Sequence, residues 1–238
     1  MIDTFLFDLD GTLLPQDSKD FIGIYYRELC SVFECNPDAK AVIGKVIKAT
    51  EAMLINDGKK TNCEVFIENF SKLINETTID SYIEKFENFY NSGYLKIGEA
   101  VEAEPLIKKS IQLLKEKGYD LVVATNPLFP KEATYKRIEW AGLDVRDFMH
   151  ITTYENSCYC KPNIKYYNEI LEVTGKKPEQ CIMVGNDVQE DIIVSKLGIK
   201  TFLITNHIIN RSKDEIKSDY MGTYSDFYNF VTSLNMTK

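Results

Sequence analysis

Two aspartates one residue apart, Asp8 and Asp10, close the first apolar run of the chain and are followed by Gly11-Thr12-Leu13. In an extended segment alternate side chains share a face, so this spacing directs both carboxylates to one side where Thr4-Phe5-Leu6-Phe7-Asp8-Leu9 ends. Unpaired charges in a buried strand are costly. Two of them beside a glycine that permits close backbone approach point to a hard cation or to acid–base work rather than to a structural cap. Three later segments also place polar groups directly after apolar runs. Ala124-Thr125-Asn126-Pro127 offers a hydroxyl, an amide and backbone N–H groups suited to a phosphate oxygen, although Thr-Asn-Pro is equally an ordinary turn. In Cys160-Lys161-Pro162-Asn163, Pro162 opens a helix and Lys161 sits at its N-terminal edge, within reach of an anion; a lone lysine is more often a solvated surface residue. Val184-Gly185-Asn186-Asp187 ends the fourth run, where Asp187 could join Asp8 and Asp10 around one Mg2+. Asp191 begins the following helix, either as a favourable dipole or cap interaction or as a carboxylate supporting that site.

These four segments meet only if the runs before them are neighbouring strands. The pattern predicts strands at 4–9, 121–125, near 149–153, 181–185 and 201–205, alternating with helices at 105–117, 132–141, 163–174 and 190–197. Strand–helix alternation with near-continuous apolar strands implies right-handed crossovers and a parallel sheet covered on both faces. Ligands of such sheets bind beyond the carboxyl ends of the strands, which is where the four segments lie. Residues 17–95 differ. Phe21, Ile24, Tyr25, Leu29 and Phe33 recur at helical spacing. Val42, Val46, Ile47 and Leu54 continue the pattern, as do Phe66, Phe70, Leu73 and Ile83, Phe86, Phe89, Tyr90. With no strand signal between them, they predict an all-helical insert whose aromatic residues form its own core rather than a cofactor box.

The chain has 238 residues, a formal net charge of −8 and 44% hydrophobic residues, which is globular composition and argues against disorder. An acidic balance disfavours nucleic-acid binding, which relies on clustered Lys and Arg. No apolar run approaches the roughly 18 residues of a membrane span, and Asp3, Asp8 and Asp10 interrupt what would be a secretory signal, so cytoplasm is the expected location. The six cysteines, Cys30, Cys35, Cys63, Cys158, Cys160 and Cys181, contain no C-x-x-C pair. Cys158 and Cys160 could form a redox or metal pair, but two thiols in an ordinary loop is the simpler expectation.

Taken in order, Asp8-x-Asp10-Gly11-Thr12, strand-terminal Thr125, Lys161-Pro162 and Gly185-Asn186-Asp187-x-x-x-Asp191 resemble the haloacid dehalogenase-like (HAD) hydrolases. The core resemblance covers residues 1–15 and about 98–205, and the helical insert looks like that family's C1-type cap. The resemblance implies an α/β, Rossmann-like core formed by residues 1–15 and 98–238, with a mostly parallel sheet flanked by helices and a helical cap at 16–97. It also implies a Mg2+-dependent phosphatase acting on a small phosphorylated metabolite. Asp8 would be the nucleophile that forms an aspartyl-phosphate, and Asp10 the acid and base. Lys161 and Mg2+ would compensate charge, while Thr125 and the Asn126 N–H bind phosphoryl oxygens. Asp8, Asp10 (through its backbone carbonyl), Asn186 and Asp187 would hold the metal. Many relatives carry Asp directly after the glycine of the fourth motif, where this chain has Asn186, so either Asn186 or Asp187 could be the side-chain ligand; charge favours Asp187.

Alternatives within the fold are a phosphomutase, a dehalogenase and a catalytically weak metabolite binder. A dehalogenase has no need of the chemistry Asp10 supplies. A signalling receiver module carries its acceptor aspartate later in the fold and has no insert of this size. Neither His150 nor His207 follows a nucleophile elbow, and no phosphate-binding P-loop motif is present. Arg27, Lys45 and Lys48 could meet an anionic substrate, though a solvated face is the simpler expectation.

Overall fold

The computed structural model describes residues 1–16, 18–33, 39–74, 79–98, 101–212 and 215–237. Its sheet contains β1 (Thr4–Phe7), β2 (Asp120–Val123), β3 (His150–Ile151), β4 (Cys181–Gly185), β5 (Lys200–Ile204) and β6 (Tyr220–Gly222). Every pairing is parallel, in the order β3-β2-β1-β4-β5-β6. Central β1 is wholly buried, and its alternation serves two cores. Phe5 and Phe7 pack with Ile107, Ile111 and Leu114 of α6 (Pro105–Glu116) and Phe227 of α9 (Tyr224–Ser233). Leu6 packs on the other face with Tyr166, Tyr167 and Ile170 of α8 (Ile164–Thr174). Burying each such side chain contributes about 2 kcal/mol, so both faces anchor the strand that delivers Asp8.

Between β1 and α6 the described residues form helices α1 (Ser18–Ser31), α2 (Ala39–Leu54), α3 (Asn62–Leu73), α4 (Ile79–Asn91) and the short α5 (Leu95–Gly98). They share a core of Phe21, Tyr25, Leu29, Phe33, Phe70 and Phe89, joined by Ala133 of α7 (Lys131–Trp140). The aromatic residues expected to form this core do so. Ile47 and Leu54 do not: both are exposed. The buried stripe of α2 is Val42, Val46, Ala49 and Met53, a consistent three-to-four-residue spacing, and Ile47 and Leu54 each lie one step around the helix from it. Cys35 lies outside the described residues.

Several predicted elements shorten. The first strand stops at Phe7; the Asp8 N–H still donates to the Val184 carbonyl (2.9 Å), but the chain then folds back, with Gly11 N–H on Leu14 O (2.7 Å) and Leu14 N–H on Leu9 O (2.8 Å). The strand near 149–153 is two residues long, and the 190–197 helix is a 3-10 helix over Ile192–Leu197. Pro162 does not open α8. Asn163 caps it instead, its Oδ1 accepting from the Lys165 N–H (3.0 Å), so Lys161 and Pro162 stand in the preceding turn. β6 and α9 were not anticipated. A capping box of Thr223 and Asp226 opens α9, and Tyr224, Phe227 and Val231 form its buried stripe.

Candidate active site

Phe7 pairs with Val123 on one side and Val184 on the other, so β1, β2 and β4 end level. Residues just beyond them emerge side by side, and Asp8, Asp10, Thr125, Asn126, Asn186 and Asp187 line one cavity of about 150 Å3. Lys161, in the turn before α8, is not among the lining residues and meets the cavity through Asp8 and Asp191. The structure therefore brings together Asp8, Asp10, Thr125, Asn126, Lys161, Asn186, Asp187 and Asp191, the eight residues that the four sequence segments offered.

Lys161 is 3% exposed, and its Nζ lies 2.8 Å from Asp8 Oδ1 and 2.7 Å from Asp191 Oδ1. Burial alone would lower its affinity for a proton, but Asp191 and Asp8 more than offset this and hold it well above the usual lysine range. Burial likewise pushes the Asp8 carboxyl up, against the pull of Lys161. Asp191 is fully buried and makes no helix-capping hydrogen bond. Its Oδ1 anchors Lys161, and its Oδ2 accepts from the Asp187 N–H (2.9 Å). It thus ties the third motif to the fourth.

Gly11 has φ +82, and a Cβ there would stand 2.3 Å from Asn186 Nδ2. The Asn186 amide is committed at both ends: Oδ1 accepts from Thr12 Oγ1 (3.2 Å) and Nδ2 donates to His207 O (2.6 Å). It braces the loop after β1 against the loop after β5. Gly11→Ala is expected to lower stability by more than the roughly 1–2 kcal/mol of a left-handed alanine, because Asn186 must also move. Urea unfolding checks this, and a wild-type midpoint would contradict it. Asp187 Oδ1 accepts from the Gln189 and Glu190 N–H groups (2.9 and 3.0 Å), and its Oδ2 pairs with Arg211 at 2.5 Å.

Three residues at this site were not found from the sequence. Arg137 of α7 is buried; it ion-pairs with Asp10 Oδ2, and its guanidinium lies 4.5 Å from the Phe129 ring centroid and 5.7 Å from that of Phe21. Its Nε is buried without a hydrogen-bond partner among the described residues. The signal was present: Arg137 follows Ala133 by one helical turn, placing a charge in the buried stripe of α7. Asn62, fully buried at the start of α3, donates from Nδ2 to Pro127 O (3.2 Å) and Tyr159 O (3.4 Å). It links the helical layer to the loops carrying Asn126 and Lys161. Arg211 meets Asp187 and lies 3.5 Å from Glu190, and nothing local in the sequence marks it.

The cavity and its immediate partners set five carboxylates (Asp8, Asp10, Asp187, Glu190, Asp191) against three cations (Lys161, Arg137, Arg211), a formal excess of two negative charges. That excess and an all-oxygen donor set fit a hard divalent cation. No group of three or more His, Cys, Asp or Glu placed to share a metal occurs among the described residues. Mg2+ is commonly held by one or two carboxylates, with water and substrate oxygens completing its shell. Cys158 and Cys160 make no disulfide. Burial pushes the Cys160 thiol up to about 12, while burial and Glu169 push that of Cys158 to about 11, so neither is a ready thiolate. Arg27 and Lys48 are exposed, and neither they nor Lys45 line this cavity.

A parallel α/β sheet gathers carboxylates and a buried lysine at its strand ends, beside an inserted helical layer, an arrangement suited to hydrolytic chemistry at the carboxyl ends of the strands. The chain belongs to the haloacid dehalogenase-like hydrolases, whose family model matches residues 5–204. It is 23% identical over 241 residues to the pyrophosphatase PpaX of Bacillus cereus, with 98% of each chain covered. It is 30% identical over 107 residues to a glyceraldehyde 3-phosphate phosphatase of Methanothermobacter thermautotrophicus, covering 44% of this chain and 46% of that one. Among solved structures it is similar to the HAD-hydrolase YfnB of Bacillus subtilis bound to magnesium, with a TM-score of 0.57, 22% identity and coverage of 97% and 98%. Among the described residues no helix is long and apolar enough to cross a membrane.

Proposed function

We propose that this hydrolase is a Mg2+-dependent phosphatase that cleaves a small phosphate monoester through an aspartyl-phosphate on Asp8. The observation that carries this is the Asp8–Lys161–Asp191 line of buried charges opening onto the cavity that Asp10 shares. The phosphatases among the chain's relatives support it.

A carboxylate oxygen of Asp8 attacks phosphorus, and the bond from phosphorus to the alcohol oxygen breaks. The Asp10 carboxyl gives its proton to that oxygen and, as a carboxylate, then takes one from the water that attacks the phosphoenzyme. The Asp8–phosphorus bond breaks and phosphate leaves. Lys161 favours the ionised form of Asp8 and offsets charge on the phosphoryl group, whose oxygens the Thr125 hydroxyl and the Asn126 N–H bind. Asp8, Asp187 and the Asp10 carbonyl, with Asn186 contributing, would hold Mg2+, which would supply the charge that lets an anionic phosphate approach a carboxylate. Residues 16–97 act as the cap, which excludes water, over a core of residues 1–15 and 98–238.

Arg137 is assigned the positioning of Asp10, with Gln16 Nε2 on the other carboxylate oxygen (2.6 Å). Arg137→Met is expected to lower kcat by on the order of 10²-fold with little change in KM, and Arg137→Lys to recover part of it. Equal loss in both variants, tracking melting temperature, would reduce Arg137 to a structural role. The direct test of the activity is phosphate release from p-nitrophenyl phosphate after EDTA treatment and Mg2+ addition. Activity should vanish with chelation and return with Mg2+; hydrolysis indifferent to EDTA would refute the metal dependence.

A further inference from the structure

The catalytic cavity, at about 150 Å3, lies below the roughly 300–1,000 Å3 of sites that enclose whole small ligands. A second cavity of about 510 Å3 lies against it, and Leu128 lines both. It opens between α2, α3 and α4 on one side and the loops after β2 and β3 on the other. Val46, Phe66 and Phe86 supply apolar walls, and Pro130 lies beside Leu128 on the opposite side. The Phe66 and Phe86 ring centroids stand 6.3 Å apart at 67°, with Tyr154 6.4 Å from Phe66. Phe66 and Phe86 thus pack edge-to-face on each other and together give the cavity one aromatic wall, against which a planar ring can rest.

Its charged lining is of one sign. Glu87, Glu132 and Glu155 are exposed at the rim, and no Lys, Arg or His lines the cavity among the described residues. Glu155 is spent on the start of α7, both oxygens accepting from the Lys131 N–H (3.0 and 3.1 Å). Glu87 and Glu132 make no ion pair among the described residues, so their field acts on whatever enters. A second phosphate or a carboxylate would meet like charge with no compensating cation, whereas an amine would meet two carboxylates.

We propose that this second cavity takes the alcohol portion of the substrate, and that the substrate is the phosphate monoester of an apolar or aromatic alcohol bearing an amine rather than a second anion. This rests on the phosphatase activity proposed above. A substrate spanning both cavities passes over Leu128, with its phosphoryl group beside Asp8 and its ring against Phe66 and Phe86.

The test compares 4-(aminomethyl)phenyl phosphate, 4-carboxyphenyl phosphate, pyrophosphate and acetyl phosphate in the presence of Mg2+. The amine ester is expected to exceed the carboxylate ester and pyrophosphate in kcat/KM by at least about tenfold, mainly through KM. Glu132→Lys, an exposed change, should reverse the amine-to-carboxylate ratio. Thr50→Trp, which fills the cavity from α2, should lower the ratio of aryl esters to acetyl phosphate by about tenfold. Turnover with the carboxylate ester or pyrophosphate preferred, or ratios that neither variant moves, would overturn the cavity assignment and leave the phosphatase standing. No turnover of any compound, acetyl phosphate included, would overturn both.

Discussion

Asp8→Asn is expected to abolish turnover, by on the order of 10⁴–10⁶-fold, while leaving the protein folded. An amide nitrogen or oxygen does not replace a carboxylate as nucleophile at phosphorus, and the other cavity carboxylate that meets Lys161, Asp191, has its second oxygen committed to the Asp187 N–H. Asp10 is held by Arg137 and Gln16, Asp187 by two backbone N–H groups and Arg211, and Asp191 by Lys161 and the Asp187 N–H. Folding should survive because Lys161 keeps its 2.7 Å partner Asp191 and because burial already opposes the charge on Asp8. Removing that charge relieves a desolvation cost even as it removes one ion pair. Acid quenching during turnover, followed by mass analysis of the peptide containing residue 8, should find a phosphoryl group on wild type and none on the variant. A variant that still forms a phosphoenzyme on another side chain would displace Asp8 from the nucleophile's position.

Asp8 and Asp10 were legible because their meaning is local. Two carboxylates closing an apolar run are a local signal, although the strand ends at Phe7 and the turn through Gly11, rather than strand alternation, carries Asp10 to the cavity. That glycine is required by its positive φ and by Asn186, which a Cβ would meet at 2.3 Å. Lys161 was legible only in company, since a single lysine before a proline says nothing until the sheet registers place it beside Asp8. What stayed hidden depends on contacts between distant segments. Arg137 meets Asp10 across 127 residues, Arg211 meets Asp187 through a loop after the fifth strand, and Asn62 joins an inserted helix to carbonyls 65 and 97 residues away. Asn186 and Asp187 both offer a ligand oxygen by composition. Only the fold shows that the amide of Asn186 is used at both ends, to hold Thr12 and the His207 carbonyl together, and that both oxygens of Asp187 are engaged as well, by the Gln189 and Glu190 N–H groups and by Arg211. At element ends the misplacements share one cause. Apolar periodicity marks which residues are buried, whereas strand and helix ends are set by caps and turns such as Asn163 and the Gly11 loop.

Lys161→Met should lower kcat by about 10²–10³-fold, the loss that follows removal of one preorganised donor from a developing anion. It should also destabilise the protein, by about 3–5 kcal/mol, because Asp8 and Asp191 are then left buried without their cation. Low activity alone would therefore not distinguish a group that touches the phosphoryl oxygens from one that only holds the site together. The double variant Lys161→Met/Asp191→Leu separates them. Replacing both members of a buried pair by apolar groups of similar volume is far less costly than removing one, so urea unfolding should show most of the lost stability restored. Activity should not return with it, since no cation then faces Asp8. Recovery of phosphate release in parallel with stability would make Lys161 a scaffold residue and would leave charge compensation at Asp8 to the metal and Thr125 alone. Continued inactivity in a well-folded double variant would place the Lys161 ammonium at the phosphoryl group, with Asp191 as the carboxylate that keeps it charged and aimed there.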